Sequence, residues 1–287
     1  MPSLRQLRRR IRSVENTAKV TNAMQLIAGS KMRRAQQLVL AGRPYAEKLA
    51  QVIADLEAQP REESGGHPLL DRRQVNRIQV LHLTPDRGLC GGLHGNMNRR
   101  VAQFILEKRP TPVSIIAVGR KGRDFMARSR QDLQAAFVNI GDRPAIKDIL
   151  PISQLILKNY MEGQADEVYL AYPKFISLVS QQPEIVKLLP VDPAELPAES
   201  KVGYIYEPNP AAVLNALLPR FVEMEIYHAM LELSASEQSA RMVAMRNATD
   251  NANELVDELT LDLNKVRQNA ITSEILDIIG GAMALRS

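Results

Sequence analysis

At each end of this chain an apolar stripe recurs at spacings of three and four, and the two stripes sit in segments of opposite charge. Residues 1–50 hold 11 Lys or Arg against two acids, Glu15 and Glu47, whereas residues 221–287 hold 11 acids against five bases. In the first segment the stripe runs Leu4, Leu7, Ile11, Val14, Ala18, Thr21, Met24, Ala28, Met32, Ala35 and Leu38. That period keeps one stripe on one helix face. In the last segment Met242, Met245, Ala248, Ala252, Leu255, Leu259, Leu263, Val266 and Ala270 keep the same rhythm, with no proline after Pro219 and no glycine before Gly280. About 60 helical residues extend on the order of 90 Å, far more than a globular helix needs. Two long amphipathic rods of opposite charge, too distant in sequence for a hairpin, predict an antiparallel coiled coil between the chain's own termini. The plainer alternative is that both stripes are core faces of a helical bundle.

Glycine and proline mark where the rods should falter. Gly29 costs about 1 kcal/mol relative to alanine inside a helix, so its presence implies close approach of another surface. Gly42 with Pro44 predicts a kink or break, after which Tyr45–Ala58 can resume as helix until Pro60. Arg61–His67, with Gly65 and Gly66, reads as a loop.

Composition narrows the function. The net charge of +5 comes almost wholly from the first rod, so a uniformly basic, nucleic-acid-binding surface is excluded. Aromatic residues make up 4% with no Trp, which leaves little for stacking on single-stranded bases. Cys90 is the sole cysteine, so neither an intrachain disulfide nor a thiolate zinc site can form. His67, His82, His94 and His228 lack metal-ligand spacing, and no apolar run is long enough to span a bilayer.

Between the rods the pattern changes to short apolar runs separated by turns. Ile78–Leu83, Val113–Val118, Val168–Tyr172 and Ile185–Leu189 read as strands, and Gly95–Lys108, Arg120–Arg128 and Ala145–Met161 as helices. Alternating strand and helix predict a parallel-rich, Rossmann-like sheet with helices against it. The proline-rich stretch Asp192–Glu199 reads as a linker into the last helix.

The first strand leads into Asp86-Arg87-Gly88-Leu89-Cys90-Gly91-Gly92-Leu93-His94-Gly95. A glycine-rich turn before a helix is where phosphate loops occur, but neither G-x-G-x-x-G nor G-x-x-x-x-G-K-[ST] is present. The structural reading is a tight strand-to-helix crossover, with Cys90 as a small buried residue rather than a reactive thiol. Asp166 and Glu167 alternate across a strand and do not make a paired acid and base; His82 reads as a strand residue, not a catalytic base. Two rival functions stay open on these residues alone. One is a nucleotide-binding α/β enzyme using Gly88–Gly95; the other is a basic coiled-coil adaptor using Arg5–Arg12 on nucleic acid or anionic membrane.

Several longer stretches carry a resemblance. Ile11-Arg12-Ser13-Val14-Glu15-Asn16-Thr17-Ala18-Lys19-Val20-Thr21-Asn22-Ala23-Met24, Ser30-Lys31-Met32-Arg33 and Asp86–Gly92 resemble the gamma subunit of F-type ATP synthase. So do Ser236–Ala252 and Asn264–Ile275. The resemblance implies a central rotor stalk: an antiparallel coiled coil of residues 1–60 with 209–287, and a Rossmann-like α/β domain over 61–208. It implies no catalytic residue, cofactor or metal of the chain's own. The implied partners are alpha and beta subunits of a catalytic hexamer, an epsilon subunit and a membrane c-ring, with rotation coupled to proton flow at the cytoplasmic face of a bacterial membrane. By position, Met24, Arg241, Arg267, Gln268 and Thr272 match places where the family's shaft meets beta subunits. Tyr204, Tyr206 and Glu207 lie in a stretch resembling the one that sits on the ring. Read from the residues alone, Met24 can equally fill the seam, Arg267 can serve an intrahelical pair, and Tyr204–Glu207 can be an edge strand. Pro85 departs from the serine common in the central loop.

Overall fold

The computed structural model describes residues 3–57, 67–192 and 206–284. Its elements are α1 (Leu4–Glu57), β1 (Ile78–Leu83), α2 (Leu93–Glu107), β2 (Val113–Val118), α3 (Arg120–Arg128), β3 (Asp132–Phe137), α4 (Ile146–Met161), β4 (Glu167–Phe175), β5 (Gln181–Leu189) and α5 (Pro210–Ala284). They divide into two compact units, one made of residues 28–241 and the other of 1–27 with 242–287.

In the larger unit a five-stranded sheet has the order β3-β2-β1-β4-β5. β1 to β4 are parallel neighbours, and β5 returns antiparallel to β4. Alternation along the strands sends side chains to two cores. On one face Ile78, Val80, Val113, Ile115 and Ala171 meet Met97, Val101 and Phe104 of α2 and Met126 of α3. On the other, Leu81, Leu83, Ile116, Val118, Val168 and Leu170 share a core with α4, with Leu49, Ile53 and Leu56 of α1, and with Leu214, Leu218, Val222 and Ile226 of α5. β1 is buried along its whole length, as expected of a central parallel strand covered on both faces.

Two expectations need correcting. The break at Gly42 and Pro44 does not occur: α1 runs through Pro44. An internal proline costs about 3 kcal/mol, but full burial of one large apolar side chain returns about 1.5–3 kcal/mol. Val39, Leu49, Ile53 and Leu56 on either side of Pro44 are all buried, so packing outweighs the lost hydrogen bond. By the same balance α5 begins at Pro210 and passes through Pro219, flanked by the fully buried Leu218 and Val222. Finally, Asp132–Phe137, unassigned from sequence, is edge strand β3, paired to β2. Its Asp-Leu-Gln-Ala-Ala-Phe lacks β-branched residues, and its pairing rather than propensity makes it a strand. Pro183 lies inside β5, where an edge strand can spare one amide donor. Residues 58–66 and 193–205, covering most of the expected loop and linker, lie outside the described residues.

Candidate partner-binding surfaces

The smaller unit is a pair of helical segments with a narrow seam. Its buried apolar residues are Leu7, Ala18, Met245, Ala252 and Leu259, the last three at a strict seven-residue interval. Thr21 Oγ1 and Thr249 Oγ1 share a hydrogen bond of 2.7 Å across the seam, while Thr249 Oγ1 also back-bonds to Met245 O at 2.9 Å. An antiparallel register through the threonine pair sets Ala18 level with Ala252, and both are buried, at 7% and 8% exposure. Small residues at such a level allow close backbone approach. Two expected stripe members fall outside: Leu38 is exposed, with Val39 buried instead, and Ala270 is exposed.

Beyond Val266 the seam ends. Every residue from 267 to 279 is exposed, including Arg267, Gln268 and Thr272, and the four-residue spacing puts Gln268 and Thr272 on one face. Thr272 Oγ1 donates to Gln268 O at 2.9 Å. Met24 is half-buried. Sequence reasoning passed over Ile271, Ile275, Leu276, Ile278 and Ile279, which are between 47% and 67% exposed on this same end of α5. The signal was available: the three-and-four apolar rhythm of the last segment continues through Ile271, Ile275 and Ile278. A contiguous exposed apolar face marks an interaction surface.

Arg241 is placed differently from those three. It belongs to the larger unit, is 9% exposed, and puts Nη2 2.6 Å from Glu237 Oε1 and 3.2 Å from Gly88 O. Burial pushes the Glu237 carboxyl above the usual carboxylate range in spite of the guanidinium beside it. Around it, α5 is buried at every position from Leu231 to Ser239. Its polar side chains are all engaged. Glu232 accepts from Phe175 N at 2.9 Å, Ser234 donates to Asp142 O at 3.0 Å and Ser236 to Pro173 O at 2.8 Å. Gln238 reaches Asp142 Oδ1 at 3.2 Å, and Ser239 donates to Leu178 O at 2.8 Å. These acceptors lie at or beyond the C-terminal ends of β1, β3 and β4, the edge at which open α/β sheets usually take ligands. Here the chain's own helix lies across it, leaving a cavity of about 160 Å³ lined in part by Thr84, Asp86, Arg120, Asn139, Asp142 and Glu237.

The glycine-rich loop is built to meet that helix. Gly91 takes φ +57° and Leu89 φ +62°, turning the chain sharply into α2. The loop offers the carbonyl of Gly88 to a guanidinium, the opposite polarity to a phosphate cradle, which offers amides to an anion. Cys90 is fully buried, and desolvation raises its thiol pKa, so it is no activated thiolate. Asp86 ties the loop down: its Oδ1 accepts from Arg120 N at 3.0 Å and its Oδ2 from Asn139 N at 2.9 Å. Gly119 closes the strand behind it at φ +90°, where a Cβ would lie 1.9 Å from Thr84 O.

His82 is buried on β1, with Nε2 2.8 Å from Asn98 Oδ1 and Nδ1 unpartnered. Desolvation lowers its pKa to about 4, which keeps it neutral. Asp166 accepts from Asn76 N and Arg77 N, and Glu167 pairs with Lys187, so the adjacent acids hold the sheet's start. Among the described residues no group of three or more His, Cys, Asp or Glu could hold a metal ion, and no helix is long and apolar enough to cross a membrane. Of the residues expected at a membrane ring, Tyr206 packs partly buried against the larger core and Glu207 is exposed. Tyr204 lies outside the described residues.

A family model described as ATP synthase matches residues 3–285. The ATP synthase gamma chain of Dehalococcoides mccartyi strain CBDB1 is 58% identical over 285 residues, covering 99% of this chain and 100% of the relative. The chain belongs to the ATP synthase gamma chain family. Another member, from Roseiflexus castenholzii, is 51% identical over 288 residues, covering 99% of each chain. Among solved structures the fold is similar to a chain of the Tetrahymena thermophila mitochondrial ATP synthase central stalk and c-ring. There the TM-score is 0.61 and the identity 24%, covering 80% of this chain and 99% of that one. A chain of the Euglena gracilis mitochondrial ATP synthase assembly of OSCP, F1 and c-ring gives a TM-score of 0.64 at 19% identity, covering 98% and 94%. The gamma-chain fold is therefore shared at low identity, as a long helical pair and a mixed five-stranded sheet require.

Proposed function

We propose that this chain is the central rotor stalk of a proton-translocating F-type ATP synthase. In this reading residues 1–60 and 209–287 supply the shaft and 61–208 the body. The observation that carries it is a lengthwise helical pair whose last turns, Ile271 to Ile279, expose an apolar face. A shaft turning inside a ring of neighbours needs such an uncovered end. Membership of the gamma chain family and a fold shared with a solved central stalk support the same reading.

The chain has no catalytic site of its own and requires no cofactor; it acts on sites of its neighbours. Its surface is different on each side, so rotation presents a different face in turn to three otherwise equivalent beta subunits. Differential contact is the energetic requirement, because a shaft that binds every neighbour state equally shifts nothing. Arg267, Gln268 and Thr272 meet beta subunits from the exposed end of α5, and Met24 meets them from the seam; Arg241, matched to the same role by position, instead holds Gly88 and Glu237 of its own unit. Arg267 suits bidentate bonding to carboxylates. Tyr204, Tyr206 and Glu207 meet the c-ring, and an epsilon subunit completes the stalk. The assembly sits at the cytoplasmic face of a bacterial membrane, the chain itself being peripheral.

The test is to purify the tagged chain from its native membrane, identify the co-eluting subunits, and repeat with Arg267→Glu. Alpha, beta, epsilon and ring subunits should co-elute, and the charge reversal should lower turnover and torque. Recovery of the chain without a hexamer would refute the function. An unaltered torque profile would refute the role given to Arg267.

A further inference from the structure

We propose that the loop after β3, with Asp142 as its pin, and the glycine-rich loop after β1 form a rotational lock that grips both terminal helices. The lock rests on the rotor reading, since only a rotor must carry torque between the α/β domain and its helices. Asp142 bonds to both. Its Oδ2 lies 2.5 Å from Lys31 Nζ of α1, its Oδ1 accepts from Gln238 of α5 at 3.2 Å, and its backbone carbonyl accepts from Ser234 at 3.0 Å.

The loop is held in place before it meets the helices. Asn139 and Gly141 take positive φ of 64° and 84°. Asp86 Oδ2 accepts from Asn139 N, and Arg120 Nη2 donates to Asn139 Oδ1 at 2.9 Å, so the two loops are joined through Asp86 and Arg120. The glycine-rich loop then reaches α5 itself, through Gly88 O and Arg241. From β4 and the turn after it, Phe175 N, Pro173 O and Leu178 O bind Glu232, Ser236 and Ser239.

Apolar ridges would allow a different outcome. A helix seated only by ridges in grooves has neighbouring seats of similar energy, one ridge away. Directional bonds from loops on several sides do not transfer to the next seat, because each serine or amide has one partner at hydrogen-bond distance. The run Ser234-Ala235-Ser236-Glu237-Gln238-Ser239-Ala240-Arg241 suits this task. Its small side chains let backbone carbonyls approach, and its hydroxyls donate to them. Asp142 is thus a positioning residue: it touches no reacting atom and acts by fixing the angle of the helices that meet the neighbouring subunits.

The experiment uses the assembled complex with a reporter bead on the α/β domain, comparing the parent with Asp142→Ala, Lys31→Met and Gln238→Leu. While the hexamer is paused, the angular variance of the bead should rise about twofold in Asp142→Ala and by less in the two single-helix variants, as expected when parallel hydrogen bonds are removed. Protons pumped per ATP hydrolysed should fall while the hydrolysis rate holds. Unchanged variance and coupling in all three variants would overturn the lock while leaving the rotor reading standing; failure of the parent chain to join a hexamer would sink the rotor reading instead. If Asp142→Ala does not assemble, hydrogen exchange on the full chain decides: amides of 28–35 and 231–241 should exchange about tenfold faster than in the parent, as in local opening. Exchange at the parent rate would refute the lock.

Discussion

α5 passes through two environments, and the contrast between them shows two ways of specifying a helix. In the larger unit its residues 231–239 are buried, and five of them are held by named hydrogen bonds to loops and to the end of β4. In the smaller unit only Met245, Ala252 and Leu259 of the same helix are buried, and Thr21 with Thr249 supplies a polar contact across the seam. The first environment sets position by individual partners. The second sets it by period alone, leaving most of the surface free for other chains. A buried polar helix must satisfy every group it hides, whereas a heptad seam asks only for apolar residues at the right interval.

The contrast can be tested from its strongest consequence to its weakest. Gly119→Val places a side chain at φ +90° against Thr84 O and should cost more than about 4 kcal/mol, abolishing the cooperative melt of the larger unit. A folded, normally melting variant would show that the crossover is less tightly specified than its geometry states. Leu259→Pro breaks the helical pair at a cost of about 3 kcal/mol or more. ATP synthesis in reconstituted vesicles should fail while the larger unit keeps its melting transition; unchanged synthesis would deny the pair its function.

The third test uses pH and touches the larger unit alone. His82 is buried neutral, with a pKa lowered to about 4 from an unfolded value of 6.5. A depressed histidine favours the folded state fully above the unfolded value, and that advantage is lost as pH falls from 6.5 toward 4. The loss approaches about 3 kcal/mol, since one pKa unit is worth about 1.4 kcal/mol. Chemical denaturation at pH 7 and pH 4.5 should reveal it, and His82→Gln should flatten the profile; an equally steep profile in that variant would assign the acid sensitivity elsewhere. The smallest effect belongs to the seam. Thr21→Val should cost at most about 1 kcal/mol, and Thr21→Val with Thr249→Val no more than that, because each hydroxyl has a backbone acceptor of its own and neither variant leaves a buried donor unmet. Hydrogen exchange in residues 242–260 would measure this, and a double variant worse than the single would mean the pair fills space rather than bonds.

Elements whose period or composition carried a strong local signal were legible in the chain. The terminal stripes, the central strands β1 and β2 and the helices α3 and α4 were readable because burial on one or both faces leaves a pattern. β3 was not, because its alternation is short and only half-buried, it holds no β-branched residue, and it owes its conformation to β2. The continuity of α1 through Pro44 was unreadable for a related reason: the compensating burial comes from residues brought together by the fold. Among candidate site residues, Arg267, Gln268 and Thr272 are exposed as a contact surface needs, but Arg241 proved to be bonded within its own unit to Glu237 and Gly88. No local signal distinguishes an arginine that meets a partner from one that meets its own loop.

The amino-acid order by itself determined that this polypeptide ends in two amphipathic helices around an alternating strand-helix middle, because periodicity and charge are properties of neighbours along the chain. Only the tertiary structure decided that Asp142 would hold Lys31 and Gln238, that Gly88 would receive Arg241, and that α5 would lie across the strand ends where open α/β sheets usually take ligands. Those contacts join residues between 96 and 153 positions apart, and loop geometry rather than residue type selects such partners.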